Sequence, residues 1–363
     1  MPMHQGFLPR EGFCLDVVLG LFRKTAGNPF LVLPPVLLAH YAPKGQHWSG
    51  LHPTAAQYLD FLFYFAVVRY VSAWLSDKVR NNWVDDEYVW SKEVVLVTGG
   101  AEGIGASMAK CFAEKGITTV VMDIQPMTMQ AAPRIHYFQC DIRSPASVNS
   151  VAKQIRSQVG EPTVVIQNAG VVRGKTILAS EPADVRVTFE VNSMAHYWIT
   201  KAFLRHMVDR DHGMVVTVSS IAAWATVPDL VDYGASKAAA LAFHEGLTGE
   251  LRFRYNAPRV RTVAVHPGHT QTALFTGFNQ GSSFVLPALH PDTVAEAVVK
   301  QVLTGRSGTV VLPQAASILS WLRALPDWYG IRVRARAQAA MKNWSGRQVV
   351  KDVDVVEPGQ TRC

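Results

Sequence analysis

Tyr233-Gly234-Ala235-Ser236-Lys237 places a phenol and an ammonium four residues apart, on one face of a helix. A nearby ammonium favours the phenolate and lowers a tyrosine pKa from about 10 towards the working pH. Such a tyrosine can exchange a proton with an alcohol or carbonyl oxygen. Ser220, 13 residues upstream, carries a hydroxyl that could polarise the same oxygen. Taken singly each has a plainer reading: Tyr233 as a half-buried helix residue, Lys237 as a solvated one, Ser220 as a cap.

A second pattern is Thr98-Gly99-Gly100-Ala101-Glu102-Gly103-Ile104-Gly105, between an apolar run and a helix-like stretch. Glycines there permit a tight turn and close approach of a pyrophosphate, and the helix start offers free N–H groups and a positive dipole end. Asp123 lies 18 residues past the last glycine, where a carboxylate can accept both ribose hydroxyls of an adenosine and repel a 2′-phosphate. No Arg or Lys occurs in 99–105 and Glu102 adds a negative charge, so the pattern favours NAD over NADP. Asp141 either meets the adenine edge or caps a helix near residue 145. Asn168-Ala169-Gly170 is small enough to pass close to a cofactor, or is a plain turn.

These residues need strands and helices to hold them. Seven short β-rich runs (93–98, 118–123, 135–139, 163–167, 214–219, 260–266 and 309–312) alternate with helical stretches at 103–115, 148–159, 182–191, 194–210 and 231–254. That alternation predicts a parallel sheet covered on both faces. The 363 residues, 48% hydrophobic with mean hydropathy +0.09, exclude a mostly disordered chain. Cys14, Cys111, Cys140 and Cys363 are too few and scattered for a disulfide scaffold. The formal charge is +7, but between 315 and 351 seven cations (Arg323, Arg332, Arg334, Arg336, Lys342, Arg347, Lys351) face Asp327 alone. The basic character belongs to one terminal segment, which ranks nucleic-acid binding low. The histidines, among them His244, His266, His269 and His290, show no metal-ligand spacing and read as structural or surface groups.

Together, the glycine turn, Asp123, Asp141, NAG (168–170), Asn192, Ser220, YGASK (233–237) and HPGHTQT (266–272) stand in the order and spacing of the short-chain dehydrogenase/reductase family, which the chain resembles over about 93–312. Gln167, where that family often has asparagine, is the one small departure. The resemblance implies an α/β fold: a Rossmann-type, doubly wound, seven-stranded parallel sheet with helices on both faces, plus helical N- and C-terminal extensions. It implies Tyr233 as general acid/base, Lys237 lowering its pKa and holding the nicotinamide ribose, Ser220 positioning the substrate oxygen, and Asn192 holding a water that links Lys237 to solvent. Pro267, Gly268, Thr270 and Thr272 would wrap the nicotinamide end, with Thr270 near the carboxamide and Thr272 near phosphate. The cofactor carries the redox step and no metal is required. A homodimer through the long helices, including 231–254, follows the same resemblance.

Residues 1–92 form an apolar extension and 313–363 an aromatic-basic tail. Leu59–Leu75 is 17 residues long, the lower limit for a bilayer span, with Asp60 and Arg69 inside. Phe30–Tyr41 is broken by Pro34-Pro35. We expect a monotopic anchor or hairpin with Arg69 snorkelling; a buried dimerisation helix is the alternative. Ile318, Leu319, Trp321, Leu322, Leu325, Trp328 and Tyr329 followed by Arg332, Arg334 and Arg336 suit a membrane interface, or a helix packed on the enzyme. Leu274, Phe275, Phe278, Phe284, Val285, Leu286 and Leu289, with Trp224, Val227 and Leu230, either line an apolar substrate pocket or pack as core. This layout is loosely similar to the membrane-associated retinol and 17-beta-hydroxysteroid dehydrogenase branch. The expected function is hydride transfer between NAD and a lipophilic alcohol or carbonyl (retinoid, steroid or fatty-alcohol-like). The expected location is the endoplasmic reticulum or a lipid droplet, with the catalytic domain cytosolic. The competing readings are an NADP(H)-dependent ketoreductase of a biosynthetic pathway and a non-catalytic membrane scaffold.

Overall fold

The computed structural model describes residues 3, 4, 6, 8–127 and 133–350; Lys351 and Cys363 lie outside them. Seven Val- and Ile-rich strands form one parallel sheet: β1 (Val94–Thr98), β2 (Thr118–Asp123), β3 (Ile135–Gln139), β4 (Val164–Gln167), β5 (Met214–Val218), β6 (Arg261–Pro267) and β7 (Gly308–Leu312). Their order is β3-β2-β1-β4-β5-β6-β7, with every pairing parallel. The order reverses between β1 and β4, which opens a crevice at the carboxyl ends of those strands. Alternate side chains feed two cores. Leu96, Val120, Met122 and Val165 face α6 (Pro145–Gln158), α8 (Ala195–Arg210) and α9 (Val231–Phe253) through Ile155, Phe203 and Leu247. Val95, Val97, Ile166 and Val263 face α5 (Gly103–Glu114) and α10 (Pro291–Leu303) through Phe112 and Val298. Cys14, Cys111 and Cys140 are free and buried.

The stretches at 182–191 and 194–210 are two halves of one interrupted helix. α7 (Pro182–Phe189) runs into α8 through a π-helical turn at Glu190–Met194.

The N-terminal region is a helical hairpin. After α1 (Leu15–Lys24) come α2 (Pro29–Tyr41), α3 (Pro43–Leu51) and α4 (Pro53–Arg80). The expected break at Pro34-Pro35 does not occur: both prolines sit inside α2. Each forfeits one backbone bond; Asn28, which accepts from the Phe30 amide at 3.0 Å, and packing on α4 keep the segment helical through them. α4 extends the expected 59–75 stretch to 28 residues, and it is long and apolar enough to cross a membrane. It is not a buried core helix: Phe61, Tyr64 and Val68 are 66–69% exposed. Its inner charges are partnered. Asp60 pairs with His40 at 2.8 Å, and Arg69, rather than snorkelling, donates to the Gly27 carbonyl.

The end of α4 and the chain just after it are tied to the amino ends of β6 and β7. Arg261, 1% exposed at the start of β6, donates to the carbonyls of Asn81 (3.1 Å) and Val84 (2.7 Å). Arg306 pairs with Asp77 and Asp85. Nearby His212 lies between Asp86 (2.8 Å) and Glu93 (3.3 Å). The hydrogen bond to Glu93 and the charge of Asp86 raise the imidazole pKa above its ordinary value, against burial. Protonated His212 therefore stabilises the fold below its unfolded pKa of about 6.5, and that stabilisation is lost as pH rises through the folded value. Between pH 6 and 9 the wild-type melting temperature should fall by about 2–4 °C relative to His212→Gln. Parallel melting profiles of the two proteins would refute the assignment.

Candidate active site

The crevice at the strand ends is a cavity of about 1070 Å³, large enough for a dinucleotide and a second molecule. At one end lies the glycine turn joining β1 to α5. Gly99 has φ +65°, and a Cβ on it would stand 2.7 Å from Ala169 Cα. A Cβ on Gly105 would stand 2.1 Å from the Gly99 carbonyl oxygen. Only glycine fits at either position, so the turn folds close enough to expose the first N–H groups of α5, whose N-cap Glu102 provides no side-chain cap. Asn168 locks this turn to β4, donating from Nδ2 to the Thr98 and Gly99 carbonyls at 3.0 and 3.1 Å. Thr98 Oγ1 accepts from the Asn168 and Ala169 amides at 3.1 and 3.2 Å. These open amides and the Cβ-free turn fit a dinucleotide pyrophosphate.

Asp123 ends β2 at the rim, its Oδ2 accepting from the Ala101 amide at 2.9 Å and Oδ1 from the Gln125 amide at 3.0 Å. Asp141 also lines the cavity but caps no helix; Ser144 caps α6, accepting from Ser147 at 3.2 Å. The Asp141 carboxylate is held by the Arg143 guanidinium at 2.7 Å. That pairing and the Arg143 amide bring its pKa below the usual value although burial alone would raise it.

At the other end Tyr233, Ser220 and Lys237 converge, each at most 6% exposed. Tyr233 and Lys237 sit one turn apart near the start of α9, with the ammonium 5.8 Å from the ring centroid. Ser220 follows β5; its Oγ donates to the Pro267 carbonyl at 3.3 Å, and its hydroxyl works against the rise in the phenol's pKa. The expected lowering of the tyrosine pKa is not found. Burial pushes Tyr233 up to about 12, only partly opposed by Ser220, and pushes Lys237 down to about 8. Both groups are fully buried, and desolvation disfavours the charged form of each. Lys237 Nζ is tied to the Val218 carbonyl at 2.9 Å. Asn192, in the π-helical turn, accepts from the Val171 amide at 2.8 Å and donates to Ser236 Oγ at 3.0 Å. Gly170 keeps the space between Asn192 and Lys237 open: a Cβ there would lie 3.4 and 3.5 Å from their polar atoms.

Gly103, Ile104, Ala169, Gly170, Pro267, Gly268, Thr270 and Thr272 also line the cavity, whereas Thr98, Gly105 and Asn192 stand behind it as supports. Thr272 lies against Gly103 across the cleft. Gln167 donates to Thr200 Oγ1 at 2.7 Å, anchoring β4 to α8 away from the reacting groups. Of the expected apolar pocket, Val227, Leu230, Leu274, Phe275, Phe278, Val285 and Leu286 line the cavity. Phe275 meets the Tyr233 ring edge-on at 5.8 Å. Trp224 instead packs on His266, Phe284 on Phe13, and Leu289 belongs to the core beside α10. His269, read from sequence as a structural or surface group, lines the cavity and packs on Phe278. Val333, Ala340 and Arg347 of the C-terminal segment also join the lining, and no motif or period marks them for it. Among the described residues no cluster of His, Cys, Asp or Glu could hold a metal ion.

Residues 93–283 match the family model described as short chain dehydrogenase. The chain belongs to the short-chain dehydrogenase/reductase family. It is therefore an NAD(P)-dependent oxidoreductase acting on alcohol or carbonyl groups. Dehydrogenase RED2 of Cochliobolus heterostrophus is 39% identical over 54% of this chain and 75% of its own length. Human estradiol 17-beta-dehydrogenase 11 is 34% identical over 65% of this chain and 80% of its own. Human epidermal retinol dehydrogenase 2 is 36% identical over 58% and 71%. The solved structure of a short-chain dehydrogenase from Streptomyces avermitilis superposes with a TM-score of 0.55 at 21% identity, covering 67% of this chain and 94% of that one.

Proposed function

We propose that this protein is an NAD-dependent, membrane-associated dehydrogenase of lipophilic alcohols, or a reductase of the corresponding carbonyls, with Tyr233 as general acid/base. The observation that carries this reading is the convergence of Tyr233, Ser220 and Lys237 at the apolar end of the cavity whose other end is the glycine turn. When bound, the nicotinamide supplies the hydride acceptor or donor. Tyr233 takes the alcohol proton in oxidation and returns it in reduction. Ser220 orients the substrate oxygen, Lys237 offers an ammonium beside the phenol, and Asn192 with the gap at Gly170 supports a proton path to solvent. Asp123 favours NAD by accepting ribose hydroxyls; Pro267, Gly268, Thr270 and Thr272 close the nicotinamide end. Phe275, Phe278 and Leu274 exclude water and select a lipophilic, retinoid-, steroid- or fatty-alcohol-like substrate. The relatives named for estradiol and retinol support that class.

The 28-residue α4, exposed along its length with its inner charges partnered, supports insertion in a membrane of the endoplasmic reticulum or a lipid droplet. The catalytic domain then lies in the cytosol. Carbonate extraction at high pH should leave the full chain in the membrane pellet, and release into the supernatant would remove the anchor reading. Exposed Tyr197, Val231 and Phe253 on α8 and α9 support a homodimer through those helices.

The deciding experiment titrates purified protein with NADH and NADPH, then screens lipophilic alcohols in detergent with the preferred cofactor. Tighter NADH binding, relaxed by Asp123→Ala, supports the proposal. Preference for NADPH moves the ketoreductase reading first. Binding of neither makes the protein a scaffold.

A further inference from the structure

The chain beyond α11 (Asp327–Arg336) crosses the mouth of the cavity as a strap. Trp344 Nε1 donates to the Leu274 carbonyl at 2.9 Å, the Ser345 amide to Thr276 at 2.9 Å and the Arg347 amide to Ala273 at 2.7 Å. Further on, Gln348 Nε2 donates to the Val172 carbonyl at 3.1 Å and Arg173 to the Val350 carbonyl at 3.0 Å. Three glycines make room for it. A Cβ on Gly174 would stand 2.3 Å from the Trp344 ring, one on Gly277 2.0 Å from the Asn343 carbonyl oxygen, and one on Gly346 2.1 Å from that of Leu274. A strap fitted this closely is part of the site's architecture.

Its central cation reaches the adenosine end. Arg347 Nη1 pairs with the Glu102 carboxylate in the glycine turn, and Nη2 donates to Gln125 Oε1 at 2.9 Å. The Asp123 carboxylate is bound by the amides of Ala101, which precedes Glu102, and of Gln125 itself. The guanidinium therefore stands beside the group that selects for a bare ribose. Arg143, which also lines the cavity, is engaged in a two-pronged pair with Asp141.

We propose that Arg347 is a specificity residue for the dinucleotide: the strap supplies the cation that the glycine turn lacks, and so admits a 2′-phosphate beside Asp123. This rests on the cofactor site proposed above. Glu102 and Asp123 together repel a phosphate dianion; Arg347 brings a positive charge to the same place and presents a planar fork of donors that matches phosphate oxygens. Arg347 and Glu102 are 44% and 42% exposed, so exchanging the carboxylate for a phosphate costs the guanidinium little. NAD remains favoured, but NADP(H) is accepted with a modest handicap.

The test is the affinity of purified full-length protein for NADH and NADPH, as wild type, Arg347→Gln and Arg347→Lys, at low and high salt. Arg347→Gln should weaken NADPH about tenfold and NADH less than about twofold, with Arg347→Lys between wild type and Arg347→Gln. The salt sensitivity of NADPH binding should fall towards that of NADH. Equal weakening of both dinucleotides would mean that Arg347 only holds the strap, and no change in either that it forms a surface ion pair; both overturn the proposal. Wild-type protein that binds neither dinucleotide would refute the cofactor site itself, and this inference with it.

Discussion

Tyr233→Phe should lower kcat for alcohol oxidation by about a thousandfold while NADH affinity stays within about twofold. The substitution removes one oxygen. The ring keeps its edge-on contact with Phe275, and Ser220 Oγ keeps its bond to the Pro267 carbonyl, so the fold tolerates it. What is lost is the buried phenolic hydroxyl beside Ser220 and the Lys237 ammonium. The pH profile makes the test specific. Burial holds Tyr233 near 12, so the phenol is protonated at neutral pH. Oxidation, which needs it to accept a proton, speeds up with rising pH, while reduction, which needs it to donate, stays level until pH nears 12. In Tyr233→Phe the oxidation slope should flatten. Activity within tenfold of wild type would remove Tyr233 from the chemistry.

Gly105→Ala should weaken NADH binding by about a hundredfold and lower stability by about 1–3 kcal/mol. Its methyl group would stand 2.1 Å from the Gly99 carbonyl oxygen, 2.7 Å from Asn168 Nδ2 and 2.9 Å from Gly100 Cα. Two of those neighbours are backbone, so the turn itself must open, and the first amides of α5 lose their common aim. Gly246→Ala, in α9 with nothing within 4 Å of the added carbon, is the matched control. It should bind NADH normally and be slightly more stable, because alanine is the better helix former. Normal NADH affinity in a folded Gly105→Ala protein would place the dinucleotide elsewhere.

The sheet was readable because most strands are short β-branched runs and the central parallel strands are buried on both faces, leaving little ambiguity of period. Thr118–Asp123 and Ile135–Gln139 emerge with the expected bounds. The site's constellation was readable because its members are fixed by local offsets: a turn before a helix, a tyrosine one turn before a lysine. Features that depend on the surroundings were not. The sign of the Tyr233 shift follows from burial, which spacing does not encode. Phe284 and Leu289 have the composition of pocket residues, yet one meets Phe13 from the far end of the chain and the other packs under α10. Pro34 and Pro35 signal a break that packing overrides. Trp344, Arg347 and Gln348 follow no period, and their contacts lie 70 to 245 residues away.

The π-helical turn gives the helix from Pro182 to Arg210 a surplus residue: the Ala195 amide reaches back five positions, to the Glu190 carbonyl. A chain shorter by one residue between Glu190 and Met194 would join α7 and α8 into a single uninterrupted helix without rotating either. Phe203 and Met207 would stay in the core, and the sheet would be undisturbed. The side chain of Asn192 would swing away from Val171 and Ser236, its present partners. Length variation at this point therefore uncouples folding from turnover: a one-residue deletion here would yield a chain that is soundly folded and catalytically mute.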